Sequence, residues 1–313
     1  EIEEHFDELV EAESKDNGKP EWLARTVDIP RASENFRFFA TASLHFDSEI
    51  HEMDGKALNY TLRQPVGVAG CISPWNLPLY LLTWKIAPAL AAGNTVVAKP
   101  SEITPMTAFL LSKISQKANL PKGVLNIVHG YGHKAGDALS RHPDVPIISF
   151  TGGTATGEKI ASVAAPMFKK LSLELGGKNP NIVFEDAEFD KSVDMAVKAA
   201  FSNQGQICLS GSRLFVQESI YKKFRDTFTS KTKELKVGNP KEDDSNLGAI
   251  VSKAHMKKVL SCIELAKSEG GEILTGGKRI ILEGELSEGY YIKPTIIDGL
   301  NYTCRTNQEE IFG

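Results

Sequence analysis

Hydrophobic and polar positions alternate along this chain with two different periods. In residues 1–17, Ile2, Phe6, Leu9 and Val10 recur at helical spacing among acidic residues, and Asn17-Gly18 stops the run. Residues 31–46 predict a second helix. Residues 48–67 hold two extended runs around Asp54-Gly55, a pair that signals a hairpin. Short apolar runs then alternate with helical stretches. Strands are expected at "VGVAGCIS" (66–73), "NTVVAKP", "VLNIVHG", "PIISFTG" and "KKLSLELGG". Helices are expected at 77–92, 105–118, 133–141 and 154–165. Such alternation implies right-handed βαβ units and a parallel sheet with helices on both faces. A second alternation starts at "NIVFEDA" (181–187), with helices at 190–202, 219–235 and 252–269. Its strands are expected at 213–217, "GGEILTGGK" and "GYYIKPTII". A domain boundary is therefore placed near residue 177. No internal repeat and no low-complexity tract interrupts the pattern.

Composition narrows the class of protein. The 313 residues suffice for two domains with a large buried core. Hydrophobic residues make up 41% and charged residues 24%, the balance of a globular protein. A net charge of −4 supplies no basic field, which argues against a nucleic-acid partner. Cys71, Cys208, Cys262 and Cys304 are too few and too scattered for a disulfide framework, so a reducing compartment is expected. No C-x-x-C pair suggests zinc, and glycines between His129 and His133 argue against a helix that would align them as ligands. The most apolar stretch, residues 78–93, is short for a membrane span and carries Lys85. The chain opens inside an acidic helical pattern rather than on Met, and it stops at "EEIFG", so both ends read as cut.

In open α/β sheets, ligands settle at the carboxyl ends of the strands. Here "VVAKPSE" brings Lys99 and Glu102 to one strand end, and "NIVHGYGHKAG" brings Gly130, Gly132 and Gly136 to another. "ISFTGGTATG" sets Gly152, Gly153 and Gly157 at a helix start, where backbone N–H groups can approach a phosphate. A carboxylate such as Glu102 can accept from both hydroxyls of a ribose and repels a 2′-phosphate, which favours NAD over NADP. Neither glycine set is G-x-G-x-x-G or a P-loop, and taken singly each is explained more simply as a tight turn between strand and helix. Glu174 ends a strand before a Gly-Gly turn. It reads either as a general base for water or as a cap or lysine partner. Asn76, in "SPWNLP", reads either as an oxyanion donor or as a turn residue. Cys208 lies in "FSNQGQICLSGSR". It is either a thiolate nucleophile or a small buried hydrophobe, and the polar "NQGQ" favours the first. A thiol hydrolase would need a nearby His, and none lies within forty residues of Cys208 on either side.

Taken together, these residues resemble the aldehyde dehydrogenase superfamily. The resemblance rests on "SPWNLP", "GNTVVAKPSE", "SFTGGTATG", "LELGGKNP", "NQGQICLSGSR" and "EEIFG", which follow the family's order across nearly the whole chain. Within the family the chain is most similar to the 2-aminomuconic semialdehyde dehydrogenase group, through "DIPRASENFRFFA" and the long run that begins at Cys71. The resemblance implies an α/β fold with a Rossmann-type parallel-sheet NAD domain (1–47 and 66–177). It also implies a β-hairpin oligomerisation arm (48–65) and an α/β catalytic domain (178–313), incomplete at its C-terminus. Cys208 matches the nucleophile, Glu174 the general base and Asn76 the oxyanion donor. The resemblance further implies NAD contacts from Ser73, Pro74 and Trp75, from Lys99, Ser101 and Glu102, and from Gly132 and Gly136. Gly152 and Gly157 would lie in the turn that faces the pyrophosphate, Glu310 and Phe312 would hold the nicotinamide ribose and ring, and Phe150, Thr151, Gly153, Leu175 and Gly176 would be further cofactor contacts. Gly153 stands where a serine is commonest, and Ile207 where some relatives carry a second cysteine.

The implied reaction is oxidation of an aldehyde to a carboxylate through a thiohemiacetal and a thioester. Glu174 favours water over coenzyme A as the acyl acceptor. Arg31 reads either as a bidentate ligand for a substrate carboxylate or as a surface arginine. The first reading suits a carboxylated semialdehyde such as 2-aminomuconic or 2-hydroxymuconic semialdehyde. A cytoplasmic homodimer or homotetramer is expected, with no membrane or nucleic-acid partner. The alternatives are another aldehyde range, or an inactive fragment with a structural role.

Overall fold

A computed structural model describes residues 1–313. The chain divides into two compact units, residues 1–9 with 25–174, and residues 10–24 with 175–313.

The first unit is built on a hairpin and a five-stranded sheet. The hairpin pairs β1 (Ile50–Met53) with β2 (Ala57–Tyr60) in antiparallel register. Three residues, Asp54, Gly55 and Lys56, join the strands; Asp54 (φ +49) and Gly55 (φ +67) are both left-handed, and the Lys56 N–H donates to the Met53 carbonyl (2.8 Å). Every residue of both strands is exposed. The sheet joins β3 (Val68–Ile72), β4 (Thr95–Lys99), β5 (Leu125–Ile127), β6 (Ile147–Thr151) and β7 (Lys170–Glu174), all parallel. Their order is β5-β4-β3-β6-β7. The chain therefore winds outward from β3 to β5, then crosses back to β6 and β7 on the other side. The crevice where this order reverses lies at the carboxyl ends of β3 and β6. β3 is central, and Ala69, Cys71 and Ile72 are buried in it, which explains its unbroken apolar run. Leu79, Leu82 and Ile86 of the helix Pro78–Ala91 are wholly buried.

In the second unit β8 (Pro180–Val183) and β9 (Arg213–Val216) pair in parallel. Around them Val183, Val193, Ala196, Val197, Phe224 and Phe228 form a core, with Phe224 and Phe228 stacked 6.2 Å apart. β10 (Glu272–Thr275), β11 (Arg279–Ile280), β12 (Tyr291–Ile292) and β13 (Ile296–Asp298) make two short antiparallel pairs, β10 with β13 and β11 with β12. The single strand expected over "GYYIKPTII" is thus two strands with different partners. Pro294 lies between them, and it has no N–H to offer a ladder. The helix expected at 133–141 begins instead as a π-helical turn, Gly132–Gly136, and becomes α-helical only over Asp137–Arg141. The helix expected over 31–46 spans Ile29–Ala42, with Pro30 in its first turn, and ends in a short 3₁₀ turn. Residues 10–24 belong to the second unit through long-range bonds. Glu21 N–H donates to the Pro240 carbonyl (2.8 Å), Trp22 Nε1 to Ser245 (2.8 Å), and Ala249 N–H to Gly18 (2.9 Å).

Candidate active site

The carboxyl edge of the parallel sheet gathers most of the candidate residues of the first unit. Register places Ile72 beside both Lys99 and Phe150, and Thr151 beside Glu174. Ser73 continues β3, donating its N–H to the Lys99 carbonyl (3.2 Å), while its buried hydroxyl has no partner within the protein. Pro74 and Trp75 are half-buried, and Asn76 is 2% exposed. The Thr104 hydroxyl donates to the Trp75 carbonyl (3.3 Å), and Ser101 Oγ accepts from the Ile103 N–H (3.2 Å), which fixes this edge.

Lys99 is buried and aims its Nζ at Glu102 Oε2, 2.6 Å away. The other oxygen, Oε1, accepts from the Gly132 N–H at 3.2 Å. Partial burial alone would raise the Glu102 pKa. The hydrogen bonds from Lys99 and from backbone N–H groups outweigh it and hold the carboxyl below its ordinary value. Gly136 and Gly157 are buried, and Gly153 is the exposed N-cap of the helix Thr154–Ala164. A Cβ on Gly152 would come within 2.5 Å of the Phe150 ring, so glycine is needed there for the close approach. Glu174 is exposed at the end of β7, and its carbonyl accepts from the Gly152 N–H (3.0 Å).

One group here escaped the sequence reading. Lys85 is buried in the helix Pro78–Ala91, with Nζ 3.2 Å from Ser149 Oγ. Burial lowers its pKa to about 8, against the opposing influence of Cys71 and Glu174. The signal was its place in an otherwise apolar helical run, used above only to argue against a membrane span. Arg31 lies exposed on the helix Ile29–Ala42, its guanidinium 5.2 Å over the Tyr80 ring and donating to the Tyr80 hydroxyl (3.0 Å).

In the second unit Cys208 follows three consecutive left-handed residues, Asn203 (φ +52), Gln204 (φ +59) and Gly205 (φ +76). The polarity of "NQGQ" suggests an exposed loop before Cys208. The structure corrects this, because Asn203, Gln204 and Gln206 are buried. Their amides brace the turn. Gln204 Nε2 donates to the Ala249 carbonyl (3.0 Å), and Gln206 Oε1 accepts from the Val251 N–H (3.1 Å). Asn203, with its short polar side chain, also suits the left-handed backbone. Asn179 Nδ2 donates to the carbonyls of Cys208 (2.5 Å) and Ser210 (3.1 Å), and Cys208 itself is half-buried.

Leu175 and Gly176 are half-buried, and a Cβ on Gly176 would overlap the Glu310 carboxylate. Glu310 Oε1 accepts from the Gly177 N–H at 3.2 Å. Phe312 has left-handed backbone (φ +67), and its carbonyl is 2.7 Å from His255 Nε2, while Lys258 Nζ donates to the Glu310 carbonyl (3.1 Å). His255 and Lys258 lie on one face of the helix Lys253–Ser268 and were not singled out from sequence. Only the three-residue spacing between them marked them as neighbours. A hollow of about 450 Å³ opens in this unit, bordered by Ile207, Glu310 and Phe312.

The chain thus combines a doubly wound strand order, a glycine turn at a helix start and a cysteine in a braced loop. The sequence profile of the aldehyde dehydrogenase family matches residues 1–313, and the chain belongs to that family. It is 53% identical over 315 residues to 2-aminomuconic semialdehyde dehydrogenase of Homo sapiens, covering all of this chain and 65% of that protein. It is 46% identical over 313 residues to 2-hydroxymuconic semialdehyde dehydrogenase of Pseudomonas sp. (strain CF600), covering 98% of this chain and 64% of that one. The NAD⁺ complex of an aldehyde dehydrogenase from Bacillus cereus superposes with a TM-score of 0.96 at 40% identity. That match covers all of this chain and 62% of that structure. The chain thus spans less than two thirds of the length of these relatives. No helix is long and apolar enough to cross a membrane.

Proposed function

We propose that the protein of which this chain is part oxidises an aldehyde to a carboxylate with NAD as acceptor. The single observation carrying this reading is the Lys99–Glu102–Gly132 arrangement at the sheet's carboxyl edge, in a chain whose family and Cys208 loop supply the chemistry. The residues present fit NAD. Glu102 offers a fixed carboxylate to a ribose, Ser73 keeps an unpartnered buried hydroxyl, and Gly176 leaves room for the Glu310 carboxylate. Residues 1–47 and 66–177 make the NAD-binding domain in this reading, and 178–313 belong to the catalytic domain.

In this scheme the Cys208 thiolate adds to the aldehyde carbon, and the Asn76 amide and the Cys208 N–H hold the negative charge that builds on oxygen. Loss of hydride from that carbon leaves a thioester on Cys208. Bound NAD supplies the acceptor for that hydride. Glu174 then takes a proton from water as the water attacks the thioester carbon, and the carboxylate leaves Cys208 as thiolate.

Glu102→Ala is expected to weaken NAD binding roughly ten- to a hundredfold, the loss of a charged hydrogen-bond acceptor for two hydroxyls. NADP binding should change less, so the NAD preference narrows. An unchanged ratio of the two affinities, measured by calorimetry, refutes the ribose reading of Glu102.

We assign the substrate class as semialdehydes that carry a carboxylate, and Arg31 as the group that pairs with it. The support is an exposed guanidinium steadied by Tyr80, together with relatives named for muconic semialdehydes. Arg31→Ala should raise KM about tenfold or more for such substrates and leave simple aldehydes unaffected. Equal effects on both would reject it. The 48–65 hairpin, with Ile50, Met53, Leu58 and Tyr60 all more than half exposed, is the arm by which copies of the protein pair. Four free cysteines suit a cytoplasmic location.

A further inference from the structure

The turn before Cys208 and the Glu310–Phe312 segment meet within the second unit. Gly205, the last of the three left-handed residues, lies against Gly313, where a Cβ on it would come within 3.0 Å of the Gly313 carbonyl carbon. Gly313 in turn packs on the helix Lys253–Ser268, since a Cβ there would reach 2.6 Å from Val259 Cγ2. The same helix carries His255. Its Nε2 is 2.7 Å from the Phe312 carbonyl, and its ring meets the Phe312 ring edge to face at 6.2 Å. A carbonyl oxygen only accepts, so Nε2 is the protonated nitrogen. The start of this helix is tied back to the turn. Gln204 donates to the Ala249 carbonyl, Gln206 accepts from the Val251 N–H, and Ser252 Oγ caps the helix by accepting from the His255 N–H (3.2 Å). These contacts form a closed circuit. It runs from the turn through residues 249–252 to His255, on to Phe312, and back across Gly313 to Gly205. Phe312 is left-handed (φ +67), a backbone its residue type disfavours, and the bond to its carbonyl opposes relaxation.

We propose that His255 is a positioning residue for hydride transfer. Its Nε2–H holds the Phe312 backbone and so fixes the Phe312 ring relative to the Cys208 turn. This rests on the reading of Cys208 as nucleophile and of Phe312 as the residue against which the nicotinamide ring is held. His255 acts through Phe312 and needs no contact of its own with aldehyde or cofactor. Removing its N–H therefore slows hydride transfer and leaves NAD affinity nearly unchanged. Lys258, one turn further along the helix, still donates to the Glu310 carbonyl (3.1 Å), so the segment stays docked when His255 is changed.

The test compares His255→Phe, which keeps the ring volume and loses the donor, with His255→Gln, which keeps an N–H at the reach of Nε2. In the cofactor-free 313-residue protein, the amides of residues 310–313 and 203–208 should exchange hydrogen roughly tenfold faster in His255→Phe, the effect of one lost hydrogen bond. His255→Gln should return them to the unaltered rate. Unchanged exchange in His255→Phe overturns the proposal. The same pair is then made in the natural polypeptide with Glu174→Gln, where each site releases NADH once. His255→Phe should slow that release roughly tenfold, with about one NADH per site and calorimetric NAD affinity within a few-fold, and His255→Gln should restore the rate. A release rate unaffected by His255→Phe refutes the positioning role. Fewer NADH per site at an unchanged rate marks misfolding and rejects it as well. A loss confined to NAD affinity makes His255 a cofactor contact, which also contradicts the proposal. No NADH from the Glu174→Gln protein with His255 intact removes the nucleophile and nicotinamide readings themselves, and the proposal with them.

Discussion

Cys208→Ala removes aldehyde-dependent formation of NADH, by on the order of 10⁴-fold or more in kcat, while NAD affinity stays within a few-fold of the unaltered protein. The expectation follows from what the cysteine does and does not hold in place. Its loop is braced by Asn179, Gln204 and Gln206, and alanine leaves the carbonyl that Asn179 contacts intact. The loss therefore falls on chemistry rather than on the fold. Cys71 cannot stand in. Cys71 is buried in β3 and its pKa is pushed up to about 12 by burial, which keeps it protonated. Activity in the natural polypeptide within tenfold of normal after this change would place the nucleophile elsewhere.

Glu174→Gln is expected to split the reaction. Thioester formation needs no general base at Glu174, so the first turnover should release about one NADH per site. Steady turnover then falls roughly 10²- to 10⁴-fold, because no carboxylate takes the proton of the attacking water. Glutamine keeps the volume of the side chain, and the Glu174 carbonyl that receives the Gly152 N–H is untouched, so the strand end stays in place. Rapid-mixing absorbance of NADH checks this. A variant that loses the burst together with turnover assigns Glu174 to acylation instead.

The parallel sheet and the exposed hairpin were legible because their causes are local. Short apolar runs at even spacing leave a buried parallel strand little alternative, and Asp54-Gly55 supplies two left-handed residues in a row. What sequence left hidden depends on partners far along the chain. Residues 10–17 read as the second half of an N-terminal helix, and the stretch after Gly18 has no pattern of its own. The place of residues 10–24 in the second unit is decided by carbonyls and N–H groups some two hundred residues away. The polarity of "NQGQ" was visible, but its reason was not. These amides are buried supports for segment 249–251, and nothing in their own neighbourhood shows that partner.

Lys85 illustrates a second kind of limit. A lysine in an apolar helix marks either a face turned to solvent or a buried ammonium, and only the sheet packed over the helix decides between them. The Glu310 and Phe312 segment is likewise set by His255 and Lys258 on another helix, and by a Phe312 backbone that its residue type disfavours. At Lys99 and Glu102, by contrast, three-residue spacing at a strand end was enough to predict that they act together, and Nζ meets Oε2 at 2.6 Å.

The most direct measurement is a peptide mass map of the Glu174→Gln protein after incubation with NAD and a carboxylated semialdehyde. A covalent acyl group should be found on the peptide that carries Cys208, and only when both reagents are present. No adduct after NADH has formed, or an adduct on the peptides of Cys71, Cys262 or Cys304, would contradict the assignment of Cys208 as the residue that carries the substrate.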